Sequence, residues 1–150
     1  MGFLELKFGY LNKKMLLEPK KTKFKKLKKK FLYTLLETRA CRLNYGFIGL
    51  KAMEAGRLTA RQIEAVRQCI NRQLNRRGKI WVNIFPHIPV TSKPTENRMG
   101  KGKGSISYWT SPTKIGTILF EITGVPFLKA KNALLQGANK LPIKTKVIFR

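Results

Sequence analysis

The stretch GRLTARQIEAVRQCINRQLNRRG, Gly56–Gly78, decides the fold. Thr59 is followed three residues later by Gln62, a capping-box signature: the hydroxyl takes an otherwise unpaired N–H of the first turn, and the amide reaches back to the Thr59 backbone. Ile63, Val66, Ile70 and Leu74 recur at i, i+3, i+7 and i+11, the apolar stripe of one helix face. The spacing predicts a helix from about 60 to 77, ended by Gly78 in a left-handed conformation. At ~100° per residue, Arg61, Arg72 and Arg76 fall within about 60° of one another on the other side. One side therefore packs on a sheet, and the other offers guanidinium groups to solvent or to phosphate.

Reading outward toward the C-terminus, KIWVNIF (79–85) alternates Ile80, Val82 and Ile84 against Trp81, Asn83 and Phe85, which predicts a strand. Pro86, Pro89 and Pro94 reduce the next stretch to an edge strand and a loop. SISYWT (105–110) and KIGTILFEIT (114–123) read as two strands joined through Ser111-Pro112. A second helix follows Gly124, with Pro126 near its first turn and Phe127, Ala130, Leu134, Ala138 and Leu141 as its apolar stripe. Pro142 stops it, and IKTKVIF (143–149) makes a last strand. Toward the N-terminus, FLYTLLETRACRLNYGFIGLKA (31–52) reads as a strand or irregular entry into the domain. Strands with two helices returning over them predict an α+β fold, a two-layer sandwich of a mainly antiparallel sheet with two helices. A basic extended N-terminal arm over 1–30 precedes this single domain, 31–150.

Charge supplies the first functional constraint. The 150 residues carry 32 Lys and Arg against seven acids, all Glu, for a net charge of +25. Such an excess strains a compact fold by self-repulsion unless a polyanion neutralises it. Nucleic acid is the leading partner class and an anionic membrane surface the second. A spanning helix is excluded at sequence level, because the longest nearly apolar run, FLYTLL (31–36), falls far short of the ~20 residues required. Residues 13–30, KKMLLEPKKTKFKKLKKK, hold ten Lys and one Glu. Mutual repulsion predicts that this arm is extended or disordered when alone. Phe24 and Leu27, set among the lysines, suit a segment lying in an RNA groove, with a solvated tail as the plainer alternative.

Catalytic and metal chemistry find little material. One His (His87) and two separated cysteines (Cys41 and Cys69) make no zinc set, and a structural disulfide between the two is disfavoured. The scattered Glu form no acid–base motif with His87, and no serine sits in a nucleophile elbow. No catalytic residue, metal or cofactor is expected. RMGKGKG (Arg98–Gly104) is the most suggestive segment. Its alternating glycines allow close backbone approach and positive φ, so successive N–H groups can turn toward phosphate oxygens. It is not a Walker A loop, since neither Lys101 nor Lys103 is followed by Ser or Thr. The dinucleotide pattern fails as well, with Ser105 and Ser107 where its third glycine would fall.

GRLTARQIEAVRQ (56–68), GKIWVNIFPHIPVTSKPTENRMGKGKG (78–104) and LPIKT (141–145) closely resemble the bacterial-type large-subunit ribosomal protein L-sixteen family, and EPKKTKFKKLKKK (18–30) resembles that family's basic arm. The resemblance covers about residues 17–148. It implies an α+β protein bound to large-subunit rRNA between the central protuberance and the peptidyl transferase region. The implied role is in late subunit assembly and in seating A-site tRNA. Carried over by position, Lys20, Lys21, Lys23, Lys25 and Lys26 thread rRNA, and Gly56, Arg57, Thr59 and Arg61 match the turn-and-cap segment. Arg72 and Arg76 join these as expected phosphate contacts from the helix. Arg98, Met99, Gly100, Lys101, Gly102 and Lys103 form the tRNA-proximal loop. The implied partners are large-subunit rRNA, A-site tRNA and neighbouring ribosomal proteins. Two departures stand out: FLYTLLETRACRL (31–43) replaces a Gly- and Arg-rich stretch, and His87 stands where an acid is common. The opening MGFLELKFGYLN shows no leader pattern, and the abundance of Lys, Asn, Ile and Phe suits an AT-rich organelle genome. The expected setting is a mitochondrial ribosome, with a plastid or the bacterial cytoplasm as alternatives.

Overall fold

A computed structural model describes residues 17–28, 36–100 and 102–150. The element order is β1 (Ile48–Ala52), β2 (Gly56–Thr59), α1 (Ala60–Gln73), β3 (Lys79–Val82), β4 (Ile88–Ser92), β5 (Ser105–Thr113), β6 (Ile118–Thr123), α2 (Phe127–Ala138) and β7 (Thr145–Phe149). Among the described residues, the α+β class with two helices and antiparallel strand pairing is as the sequence predicts. The strands, however, divide into two sheets. A four-stranded sheet runs β3-β6-β1-β7 and a three-stranded one runs β2-β5-β4.

Alternation along the four-stranded sheet sorts its two faces. The register pairs Ile48 with Ile122, Gly49 with Glu121 and Leu50 with Phe120. Ile48, Leu50, Phe120 and Ile122 thus share one face. They form a core with Ile63, Val66 and Ile70 of α1 and Ala130, Ala133 and Leu134 of α2. Each large side chain taken out of water here contributes about 1.5–3 kcal/mol. The other face carries Gly49, Glu121 and, through its pairing with Glu121, Trp81.

Helix α1 starts where the capping box requires. Gln62 N donates to Thr59 Oγ1 at 3.2 Å, and Thr59 N donates to Gln62 Oε1 at 2.9 Å. It ends earlier than expected, at Gln73. Asn75 (φ 51°) and Arg76 (φ 60°) turn left-handed before Gly78 does. Asn75 N donates to Arg72 O and Arg76 N to Asn71 O, the two bonds of a Schellman stop. Asn tolerates this conformation because its short polar side chain bonds locally. Arg76 is therefore off the helix, and its expected alignment with Arg61 and Arg72 is corrected.

Other boundaries shift for identifiable reasons. The expected strand over 79–85 stops at Val82. Ser111-Pro112 is not a connection but lies inside β5. β4 pairs with β5 only as far as Thr110, while β2 pairs from Thr110 to Thr113, so Pro112 has a neighbour on one side alone. A residue without an N–H is tolerated there. Strand β2, directly before the helix, has no signal in the sequence. In α2, Ala130, Ala133, Leu134 and Gly137 are buried, whereas Phe127 is exposed and Leu141 lies beyond the helix. Phe127 instead meets Phe149 edge-on, with centroids 5.9 Å apart. The last strand begins at Thr145 rather than 143. β4, with Pro89, is an edge strand as expected. Cys41 and Cys69 are free thiols. Among the described residues, no helix is long and apolar enough to cross a membrane.

Candidate nucleic-acid interface

Strands β4 and β5 form a hairpin, and the Gly- and Lys-rich segment is its connection. Gly100 (φ 95°) and Gly102 (φ 79°) both have left-handed backbones, with open space where a Cβ would sit. The reversal these residues make is one that other side chains resist. Met99 is 98% exposed. The segment curls around a hollow of about 320 Å³ lined by Lys93, Glu96, Asn97, Arg98, Lys103 and the loop glycines. Lys93 Nζ donates to Gly100 O at 2.7 Å and ties the near side of the loop to its tip. Lys101 lies outside the described residues.

The described part of the arm, 17–28, has neither helix nor strand. The arm is nevertheless docked. Leu17 packs against the hydrophobic core. Lys26 Nζ donates to Lys103 O at 2.7 Å, and Lys103 Nζ donates to Leu27 O. This reciprocal clasp joins segments 76–77 residues apart in sequence. It sets Lys26 and Leu27 against Lys103, and Lys20, Lys21, Lys23 and Lys25 are exposed along the same arm. Phe24 and Leu27 are exposed beside them. The loop therefore does not stand alone as a free hairpin tip.

The helix residues separate into different sites. Arg61 is exposed at the start of α1 and lines a groove of about 900 Å³ with Leu17, Glu64, Gln68, Tyr108 and Trp109. Arg72, exposed near the other end, borders a groove between the helices with Cys69, Gln136, Asn139 and Lys140. Arg76 is exposed in the turn after α1. Arg57 lies half-buried on β2, opposite Pro112. The oxygen of Thr59 is engaged in the helix cap, which leaves its hydroxyl proton to donate. Sequence reasoning thus named residues that sit at several separate places rather than in one patch.

Four acids, Glu37, Glu54, Glu64 and Glu121, are engaged by neighbouring donors. Arg67 donates to Glu64 through Nε at 2.8 Å and Nη2 at 2.6 Å, and this fork holds the Glu64 carboxyl below its ordinary range. The backbone N–H of Arg39, with Lys114 adding its charge, lowers Glu37. The backbone N–H and ammonium of Lys144 do the same for Glu54. Glu121, fully buried, accepts the N–H groups of Asn44 (3.1 Å), Tyr45 (2.7 Å) and Gly46 (2.7 Å) on Oε2. Its Oε1 accepts Asn83 Nδ2 at 2.5 Å. A Cβ at Gly46 would come within 2.7 Å of Ile122 O, so glycine lets this segment lie directly on β6. Sequence reasoning missed Glu121, Tyr45 and Trp81, whose partners are distant in the chain. His87 is exposed, with Nδ1 3.0 Å from Phe85 O. No group of three His, Cys, Asp or Glu among the described residues is placed to hold a metal.

Comparison with known proteins places this geometry in context. Residues 19–148 match the family described as ribosomal protein L16p/L10e. Over 135 residues, 90% of this chain, it is 50% identical to the large ribosomal subunit protein uL16 of Parvibaculum lavamentivorans, covering 96% of that protein. The protein of the same name from Azorhizobium caulinodans is 51% identical over the same length, with 98% of it covered. That from Caulobacter vibrioides is 52% identical, with 94% covered.

Proposed function

The chain belongs to the ribosomal protein L16p/L10e family, and from that premise we propose that it is a structural constituent of the large ribosomal subunit. In this reading the basic arm (1–30) and the α+β domain (31–150) bind large-subunit rRNA and support late assembly. The glycine loop helps position A-site tRNA near the peptidyl transferase region. The observation that carries the reading is the clasp between Lys26 and Lys103, which holds the lysine arm against the glycine loop. Two cationic segments that repel each other are brought together by hydrogen bonds to backbone carbonyls. The charge so gathered is one that converging phosphates would neutralise.

The mechanism is electrostatic. Lys20, Lys21, Lys23, Lys25 and Lys26 face phosphates along the arm, and Arg57, Arg61, Arg72 and Arg76 take others around the domain. Release of condensed counterions drives the association. Thr59 acts through the cap that fixes Arg61 at the helix start. Arg98, Met99, Gly100, Lys101, Gly102 and Lys103 offer backbone N–H groups and charge to tRNA without chemistry. The family is one of ribosomal proteins, and neither an RNA-modifying enzyme nor a nucleoid-type DNA binder is favoured by any feature above. The named relatives are bacterial. They support the bacterial cytoplasm as the setting and give no support to the mitochondrial one.

The test is sedimentation followed by tRNA binding. The protein is expected to travel with large subunits and to leave them only at high salt. Subunits carrying Lys101→Ala, with Lys103 kept because its ammonium also holds the arm, should incorporate the protein yet bind A-site tRNA less well. A free pool with no subunit association would refute the structural role, and undiminished tRNA binding would remove the loop's part in it.

A further inference from the structure

The sheet face turned away from the helices carries aromatic surface that neither the arm, the loop nor the helix arginines account for. Lys79 and Trp81 lie two apart on β3, an edge strand of the four-stranded sheet, and project to the same side as Glu121. The segment before β1 runs over them. Glu121 grips three successive N–H groups, those of Asn44, Tyr45 and Gly46, which fixes the backbone on both sides of the Tyr45 side chain. The ring of Tyr45 is thereby laid on that of Trp81, with centroids 5.8 Å apart and planes 17° from parallel. Lys79 Nζ stands 5.0 Å from the Trp81 centroid. Tyr45 nonetheless remains 64% exposed.

A buried carboxylate here immobilises a residue that buries little of itself. Packing accounts for the contact of this segment with the sheet, where Gly46 and Gly49 are buried, but not for the outer face of Tyr45, which stays open to solvent. We propose that the Tyr45–Trp81 stack is a platform for an unpaired nucleobase of RNA, which would lie on the outer face of Tyr45 while the Lys79 ammonium meets a flanking phosphate. The occupant follows from the surroundings: an aromatic face preset for stacking, the Lys79 ammonium over the Trp81 ring, and Arg76 and Arg77 exposed in the turn that leads into β3. Bases of any kind stack on such a face, since every base has a π surface. An apolar side chain from a protein neighbour would not need the cation. The inference rests on the RNA-binding reading above and narrows it to one contact.

The experiment compares, by fluorescence anisotropy with the full chain at fixed salt, a labelled single-stranded adenine 12-mer and a labelled abasic ribose-phosphate 12-mer of equal charge. The adenine oligomer should bind roughly tenfold tighter. Tyr45→Ala should abolish that ratio while leaving abasic binding unchanged, and Tyr45→Phe should preserve it. Retained abasic binding shows that the variant is folded. Equal binding of both oligomers by the unsubstituted chain would overturn the platform and leave RNA binding intact, as would a ratio that survives Tyr45→Ala. Failure to bind either oligomer at low salt would overturn the RNA-binding reading itself.

Discussion

Replacing Glu121 tests whether one buried carboxylate holds the segment before β1 in place. Four donors converge on it, three of them backbone N–H groups. A hydrogen bond to a charged group contributes about 1.5–3 kcal/mol, against about 0.5–1.5 for a neutral pair. Glu121→Gln keeps the shape, and the Asn83 amide can turn to meet the new NH2 group. What is lost is the charge assistance on the three backbone bonds, about 1 kcal/mol each, offset in part because a neutral amide costs less to bury. The expected loss is about 1–3 kcal/mol. Glu121→Ala removes the acceptor altogether. Asn44 and Tyr45 are exposed and can turn to water, whereas Gly46 is buried and its orphaned N–H costs about 1–3 kcal/mol by itself. With the cavity added, about 3–5 kcal/mol is expected, a large share of the ~5–15 kcal/mol typical of a whole domain. Urea unfolding at constant salt, followed by circular dichroism, measures both variants. Trp81 emission in the alanine variant should also change before the main transition, as Tyr45 is released. An alanine variant within about 0.5 kcal/mol of the parent, the range of ordinary surface changes, would refute the reasoning. So would a glutamine variant that is no better than alanine.

Two further outcomes follow from the helix. Thr59→Ala should cost about 1 kcal/mol through the lost cap, and Thr59→Ser much less, as read from thermal melts. The Glu64–Arg67 pair gives a pH signature. The folded carboxyl titrates below its ordinary value of 4.5, so its contribution is present above that pH and fades as the pH falls through the folded value. The pair is partly exposed, so roughly 0.3–0.5 kcal/mol is expected. Glu64→Gln should therefore melt lower than the parent near neutrality and converge with it in acid; a gap that widens in acid would contradict the assignment.

What was readable in the sequence was local. The Thr59–Gln62 cap and the Ile63–Val66–Ile70 stripe lie within one helix, and both appear as read. The helix end was misplaced because glycine is the commoner left-handed residue, and Asn75 took that part three positions earlier. Pro112 read as a break because a single sequence does not show which side of a strand lacks a neighbour. Glu121 and its donors lie 38 to 77 residues apart, and no periodicity reports a carboxylate whose partners are backbone amides. The arm and the loop were each legible as cationic segments, but the clasp between them was not, because it uses main-chain carbonyls that every residue possesses.

That clasp changes what a deletion means. Cutting the chain after residue 28 would remove lysines and would also strip Lys103 of the carbonyl it donates to and of the ammonium its own carbonyl receives. A truncated protein that performs poorly would then report on two severed segments at once. Point changes that spare the main chain, such as neutralising Lys20 and Lys21 while keeping Lys26, separate the tail's own electrostatic work from its service as a tether.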